Sequence, residues 1–370
     1  MDCILDPKVL EQMRITHTLQ PYRIRQIEQE IFHNSNVDFD SMTTLSKDLR
    51  NILNQTYEVI PLKLIEVQEC KETSKFLFET SDGNVVETVL MYHFRTDKET
   101  WEEKLNRMTL CISSQVWCSV GCIFCVTGKM WLKKNLDRTE ILGQVLHVNN
   151  YIKNRFGRRE DGTLFKVRNI VFMGMGEPMM NYSNVKKVCH YLTEPSYLGL
   201  SQRRVTVSTS GVIPSMEKFI DDKLPVSLAF SLHAPNQELR EKLVPTIWKF
   251  YTIEKLMKTL DRYTHETGNE VMYEYVMIKD TNDLDEHAHQ TGALLKNRKA
   301  HLNLIPYNEN PAIQLEESSE KQIRKFQKIV MNYGVPVTVR ANMGREKNSA
   351  CGQLWYEKVL SGLQKDSVSV

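Results

Sequence analysis

Four of the chain's eight cysteines fall between residues 110 and 125. Cys118, Cys122 and Cys125 are spaced C-x3-C-x2-C, with Cys111 seven residues upstream of Cys118. Three thiolates this close supply three ligands to a metal centre and leave a coordination position open, which suits chemistry better than pure structure. Sulfur-only ligation, with Phe124 between the last two cysteines, points to an iron–sulfur cluster in which one iron has no protein ligand. The competing assignment is a zinc knuckle that takes Cys111 as its fourth ligand.

The elements that must position this loop are legible around it. The chain has 370 residues, 41% hydrophobic and 25% charged, with a formal net charge of +2. Those values describe an ordinary globular protein with room for one large domain and a smaller one. No apolar run approaches the roughly 18 residues of a membrane span, and no secretory signal opens the chain, so a cytoplasmic protein with no membrane partner is expected. Unevenly clustered cysteines do not resemble a disulfide scaffold. Basic groups such as Lys133-Lys134 and Arg203-Arg204 suit phosphate contacts, but each reads equally as a solvated face.

Residues 1 to about 55 read as helical, with Ile24, Ile27 and Ile31 on one stripe after Pro21 and a pair of short helices at 39–50. From 57 to 92 the period changes to two. Ser81-Asp82-Gly83-Asn84 separates two β-rich runs and predicts a hairpin. In its second strand Val85, Glu87, Val89 and Met91 share a face, and the pattern leaves open whether that face is buried or solvated. Strands are expected at 108–113, 169–173, 204–208, 226–232, 271–277, 302–306 and 336–340, with helices between them, the clearest at 138–152, 253–264 and 319–333. This alternation predicts a parallel sheet with helical crossovers, closed or partly closed into an α/β barrel. The division expected is 1–95 (helices and hairpin), 96–355 (barrel) and a tail at 356–370. In such folds the chemistry gathers where strands end. The cysteine loop, 174–178, 208–211, 231–233 and 306–308 all fall at such ends.

Taken together these motifs resemble the radical S-adenosylmethionine (SAM) enzymes and, within them, the RlmN/Cfr family of RNA adenine methyltransferases. The matching residues are Glu87 in its strand, Cys111-Ile112-Ser113-Ser114-Gln115, the three cysteines of the loop and Leu132-Lys133-Lys134-Asn135-Leu136. They continue through Gly174-Met175-Gly176-Glu177-Pro178, the stretch from Arg203 to Gly211, Ser231-Leu232-His233-Ala234, the stretch from Asn303 to Asn308, and Ala350-Cys351-Gly352. The resemblance implies a partial (β/α)6 radical SAM barrel with a small N-terminal accessory domain. It implies a [4Fe-4S] cluster on Cys118, Cys122 and Cys125, and SAM held by Gly176, Glu177, Ser208, Ser231, Leu232, His233 and Asn308. Cys351 matches the methyl-carrying cysteine, Cys111 the cysteine that closes a disulfide with it, and Glu87 the proton acceptor, which should therefore point into a cavity. The need for a thiol carrier is chemical: C2 of adenine is electron-poor and cannot attack the methyl of SAM, whereas a thiolate can. The implied partners are 23S rRNA, with tRNA next to the anticodon as a second candidate, and an electron donor such as flavodoxin or ferredoxin; a monomer is expected.

Two alternatives stay open at this level. One is C8 methylation of the same adenine, as in the Cfr type; the other is a non-catalytic, zinc-stabilised RNA-binding protein. The chain also departs from the family. Trp117 and Trp131 stand where relatives usually carry glycine, and an indole beside the cluster loop is expected to clash if the loop keeps the family conformation. With Trp248 and Trp355 in turn-like contexts, the pattern is that of a source reading UGA as glycine, with tryptophan written in translation. The segment 345–349 is less acidic than in relatives. Cys3, Cys70 and Cys189 match no known role, and Cys189 is expected to be a small core residue.

Overall fold

The computed structural model describes residues 1–96, 103–246, 251–310 and 312–340. Cys351, the segment 345–349, the tail, Trp248 and Trp355 lie outside the described residues.

Ten strands form one sheet whose spatial order follows the chain. β1 (Leu62–Glu69), β2 (Thr73–Thr80), β3 (Val85–Thr96) and β4 (Glu103–Cys111) run antiparallel. From β4 onward the pairing is parallel through β5 (Asn169–Phe172), β6 (Val205–Thr209), β7 (Ser227–Ser231), β8 (Val271–Met277), β9 (Ala300–Pro306) and β10 (Val337–Val339). Helical crossovers join the parallel strands, as parallel pairing requires. The expected partial α/β barrel with an N-terminal extension is the observed fold. The hairpin strands share a sheet with the barrel, so the division near residue 95 is one of sequence and not of hydrogen bonding.

Three N-terminal helices, α1 (Pro7–Thr16), α2 (Pro21–Glu28) and α3 (Lys47–Thr56), pack beside the barrel. After α2 the chain makes one π-helical turn at Gln29–His33. That turn buries Glu30, whose carboxylate accepts from Asn34, Asn36 and Thr44. The helix pair expected at 39–50 is instead a single helix, α3, preceded by turns. Asp38 accepts from the Ser41 amide and Ser46 caps α3 through the Leu49 amide, so these polar side chains hold backbone groups outside a helix.

The first crossover helix, α4 (Arg138–Phe156), begins at a capping box in which Asp137 and Glu140 satisfy each other's backbone amides. Its predicted stripe, Ile141, Leu142, Val145, Val148 and Ile152, is fully buried, each side chain contributing about 1.5–3 kcal/mol of transfer free energy. The remaining crossovers are α5 (Tyr182–Thr193), α6 (Ile213–Asp221), α7 (Gln237–Leu243), α8 (Ile253–Thr267), α9 (Asp285–Leu295) and α10 (Glu320–Met331). Cys189 is a fully buried core residue of α5, as expected. No helix among the described residues is long and apolar enough to cross a membrane.

Candidate active site

The cysteine loop leaves the end of β4 and folds back over the strand ends. Glycine is needed in two places. Gly121 has φ +69, and a Cβ on Gly128 would lie 3.1 Å from the Cys122 backbone nitrogen. The turn is closed by the Cys125 amide on the Cys122 carbonyl (3.1 Å) and anchored by the Ile123 amide on the Leu243 carbonyl of α7 (3.1 Å). Cys118, Cys122 and Cys125 line one cavity together with Gly176, Glu177, Ser208, Ser231, His233 and Asn308. Nine of the ten residues expected to hold cluster and SAM therefore meet in one place, contributed by the ends of five strands and their loops. The tenth, Leu232, lies beneath them: it is fully buried, and its amide donates to the Glu274 carbonyl (2.9 Å).

The donor set fits an iron–sulfur cluster. Burial pushes the Cys118 thiol up to about 12 and the Cys122 thiol well above its ordinary value. Thiols in so apolar a site become thiolates when a cation is bound. Among the described residues no three His, Cys, Asp or Glu side chains converge on a single ion, and Cys111 does not line the cavity. A cubane places its thiolates on different irons, so they need not converge. A zinc knuckle would need Cys111 as its fourth ligand, and Cys111 instead pairs with Val89 at the end of β4, outside the lining of the cysteine cavity.

The cavity walls are fixed by polar side chains turned to structural use. Glu177 is buried, and its two carboxylate oxygens accept from the Met179 (3.0 Å) and Ser210 (2.8 Å) amides. Burial pushes its pKa up while those amides pull it down. Gly176 has φ +99, and a Cβ there would sit 2.5 Å from Gln115 Cβ, so only glycine permits the close approach. His233, at φ +53, accepts the Val276 amide on Nδ1 (3.1 Å), which leaves Nε2 as the proton-bearing nitrogen of the neutral ring. Burial and the Arg240 charge push His233 down to about 3. Its ring meets Phe124 edge-on, with centroids 4.8 Å apart.

Three residues that sequence reasoning did not single out shape the same site. Arg240 of α7 is 1% exposed, and its guanidinium donates to the carbonyls of Ser210 (2.6 Å), Ser231 (2.8 Å) and Leu232. It ties together the ends of β6 and β7 and places a positive charge beside Cys122 and Glu177. Glu274 of β8 is buried in the cavity wall, where Asn303 donates to it (2.8 Å). Gln144 of α4 accepts from Thr88 (2.6 Å) and from the Ser113 amide (2.8 Å) and donates to the Ser113 carbonyl (2.9 Å). A lone polar residue in a helix or an apolar strand gives no sequence signal of this kind.

Glu87 occupies a smaller pocket beside the first, shared with Val116, Trp117, Lys133 and Met175. Trp117 and Met175 face this pocket, while their neighbours Cys118 and Gly176 face the larger cavity, so the two spaces lie back to back. Glu87 is 1% exposed, which resolves the ambiguous strand face in favour of the interior. Ser113 donates to the Glu87 carbonyl (2.6 Å) and accepts the Met175 amide (2.9 Å), locking the strand to the 174–178 loop. Cys111 pairs with Val89 across β3 and β4, two positions from Glu87 and on the same face. Its expected disulfide partner, Cys351, lies outside the described residues. Trp117 takes φ +64, and its partly buried indole packs on the core. Trp131 is 88% exposed.

Known proteins match this architecture over nearly its whole length. Residues 112–291 match the radical SAM superfamily, and residues 5–59 match the ribosomal RNA large subunit methyltransferase N-terminal domain. The chain is 38% identical over 333 residues to a probable dual-specificity RNA methyltransferase RlmN of Dictyoglomus thermophilum, covering 90% of each chain. It is 40% identical over 347 residues to the dual-specificity RNA methyltransferase RlmN of Vesicomyosocius okutanii, covering 93% of this chain and 91% of that one. The crystal structure of a radical SAM methyltransferase from Sphaerobacter thermophilus superposes with a TM-score of 0.84 at 38% identity, covering 93% of this chain and 96% of that one. A radical SAM barrel, an N-terminal domain of the rRNA methyltransferases and full-length relatives of one name lead to a single assignment: the chain belongs to the RlmN family of radical SAM RNA methyltransferases.

Proposed function

We propose that this chain methylates C2 of an adenine in 23S rRNA, with tRNA next to the anticodon as a second substrate, through a methyl group carried on Cys351. The observation that carries the reading is the pair of adjoining spaces: three cysteines with the SAM-motif residues in one, and a buried carboxylate in the other.

Cys118, Cys122 and Cys125 would hold a [4Fe-4S] cluster, which with SAM supplies one-electron reductive cleavage and a hydrogen-abstracting radical. The chain's own residues do the rest. Gly176 lets the 174–178 loop approach closely, and Glu177 stiffens it. Ser208, Ser231, His233 and Asn308 offer polar groups around SAM, with the neutral His233 as a donor through Nε2. The Cys351 thiolate takes the methyl group from one SAM. After hydrogen abstraction from that methyl and addition of the carbon to the adenine ring, the ring radical gives up one electron, for which the oxidised cluster would be the acceptor, and the Glu87 carboxylate takes the ring proton. Cys111 then bonds to the Cys351 sulfur as the bond from that sulfur to the methylene carbon breaks; the carbon keeps the electron pair and takes up a proton, releasing methylated RNA and leaving a disulfide. Flavodoxin or ferredoxin is the proposed electron donor, and the working form is a monomer.

Anaerobically purified protein should contain iron and sulfide and, given SAM, a reductant and 23S rRNA, should yield 2-methyladenosine on digestion and mass spectrometry. Product at C8 alone overturns the C2 assignment. Colourless protein holding zinc and binding RNA without modifying it overturns the enzyme.

A further inference from the structure

Glu87 does not stand alone in its pocket wall. Lys75 of β2 places Nζ 3.4 Å from Glu87 Oε1, with side chains 5% and 1% exposed. The register explains the meeting. Leu77 lies directly opposite Glu87 and Lys75 opposite Val89, so Lys75 reaches Glu87 diagonally on the same face of the sheet. The strand that carries Lys75 is buried from Thr73 to Phe78, with Phe76, Leu77 and Phe78 beside it.

Fold stability does not account for a lysine here. A buried ion pair is often matched or bettered by apolar residues of similar volume, because removing both charges from water offsets their attraction. A base does account for it. A carboxylate in so dry a place would hold a proton at neutral pH unless a cation faced it. Other titratable or charged groups on or near this face are Glu66 on β1, opposite Leu77, the Cys111 thiol on β4, the exposed Lys133 in the pocket rim and, further along, Arg340 at Met91. Lys75 is a buried cation at ion-pair distance from the Glu87 carboxylate.

We propose that Lys75 is a positioning residue for the proton-transfer step: its buried ammonium holds the Glu87 carboxylate ionised and fixed in the adenine-facing pocket. The inference rests on Glu87 acting as the base in the reading above. In that step the C–H electron pair stays in the adenine ring, the proton passes to Glu87, and Lys75 takes no part in the transfer.

The test uses Lys75→Met and Lys75→Arg in the cluster-loaded enzyme, with iron content and methylation of Cys351 followed by peptide mass. Lys75→Met is expected to keep both. It should release methylated RNA about tenfold more slowly or worse at pH 7, accumulate RNA bound covalently to Cys351, and recover as pH rises. Lys75→Arg should restore most of the rate. A carboxylic-acid infrared band at pH 7 in the difference spectrum of Lys75→Met minus wild type, lost when Glu87→Gln is added, reads the same effect without turnover. That double variant, having no buried charge left, is expected to be at least as stable as Lys75→Met and keeps the test open if the single variant folds poorly. Lys75→Met with a wild-type rate and pH profile, or without the infrared band, overturns the proposal. Wild-type protein that neither methylates Cys351 nor modifies RNA instead refutes the functional reading beneath it.

Discussion

Trp117 is where backbone and side chain disagree. At φ +64 it lies in the left-handed region, which costs a residue with a Cβ roughly 1–2 kcal/mol relative to glycine. Trp117→Ala and Trp117→Gly both remove the indole and its packing, so the comparison between them isolates the backbone. Glycine escapes the strain but gives back about 0.4–1 kcal/mol through the greater freedom of the unfolded chain. The difference leaves glycine ahead by roughly 1 kcal/mol. In an ordinary helix or strand the order is reversed, with alanine ahead by about 0.5–1 kcal/mol. Urea unfolding of the two variants, read as transition midpoints at constant slope, checks the sign. A midpoint for Trp117→Ala equal to or above that for Trp117→Gly would refute the reasoning. The result also bears on the natural residue. If the source reads UGA as glycine, protein from that source will be lighter at positions 117, 131, 248 and 355 by the tryptophan–glycine difference at each. A native mass that includes four tryptophans there ends that reading.

Cys111→Ala should keep its iron and sulfide, because Cys111 does not line the cysteine cavity, and should trap RNA on Cys351 for want of the thiol that releases it; loss of iron would return the zinc knuckle to consideration. His233 titrates at about 3 in the fold against 6.5 for an ordinary histidine. Between those values the unfolded chain binds the extra proton, so stability present above pH 6.5 is lost as pH falls, by up to roughly 1.4 kcal/mol per unit. His233→Gln should flatten that slope in urea unfolding at stepped pH, and an unchanged slope contradicts the assignment.

The parallel strands and their crossovers were legible because each carries a strong period, and the rim residues followed from the rule that strand ends carry chemistry. Glu87 was ambiguous for a physical reason. Val86, Glu87, Thr88 and Val89 are all at most 2% exposed, so both faces of β3 are covered and alternation cannot name an inside. Lys75 and Arg240 were invisible for a related reason. Each reads as an ordinary polar residue, one in a hairpin strand and one in Gln237–Leu243, a helix rich in charged residues. Their burial is decided by what packs over them from elements distant in sequence. The turns at 38–46 look helical until the Asp38 and Ser46 side chains are seen holding backbone amides.

The measurement closest to the central claim is isotopic. The cluster-loaded enzyme would be given SAM bearing a trideuterated methyl group, a reductant and 23S rRNA, and the digested RNA analysed by mass spectrometry. Transfer through methylated Cys351, with hydrogen abstraction from that methyl, predicts 2-methyladenosine retaining two of the three deuteriums and the third in 5′-deoxyadenosine. A methyl group that arrives with all three deuteriums, or a product at C8, would contradict the account.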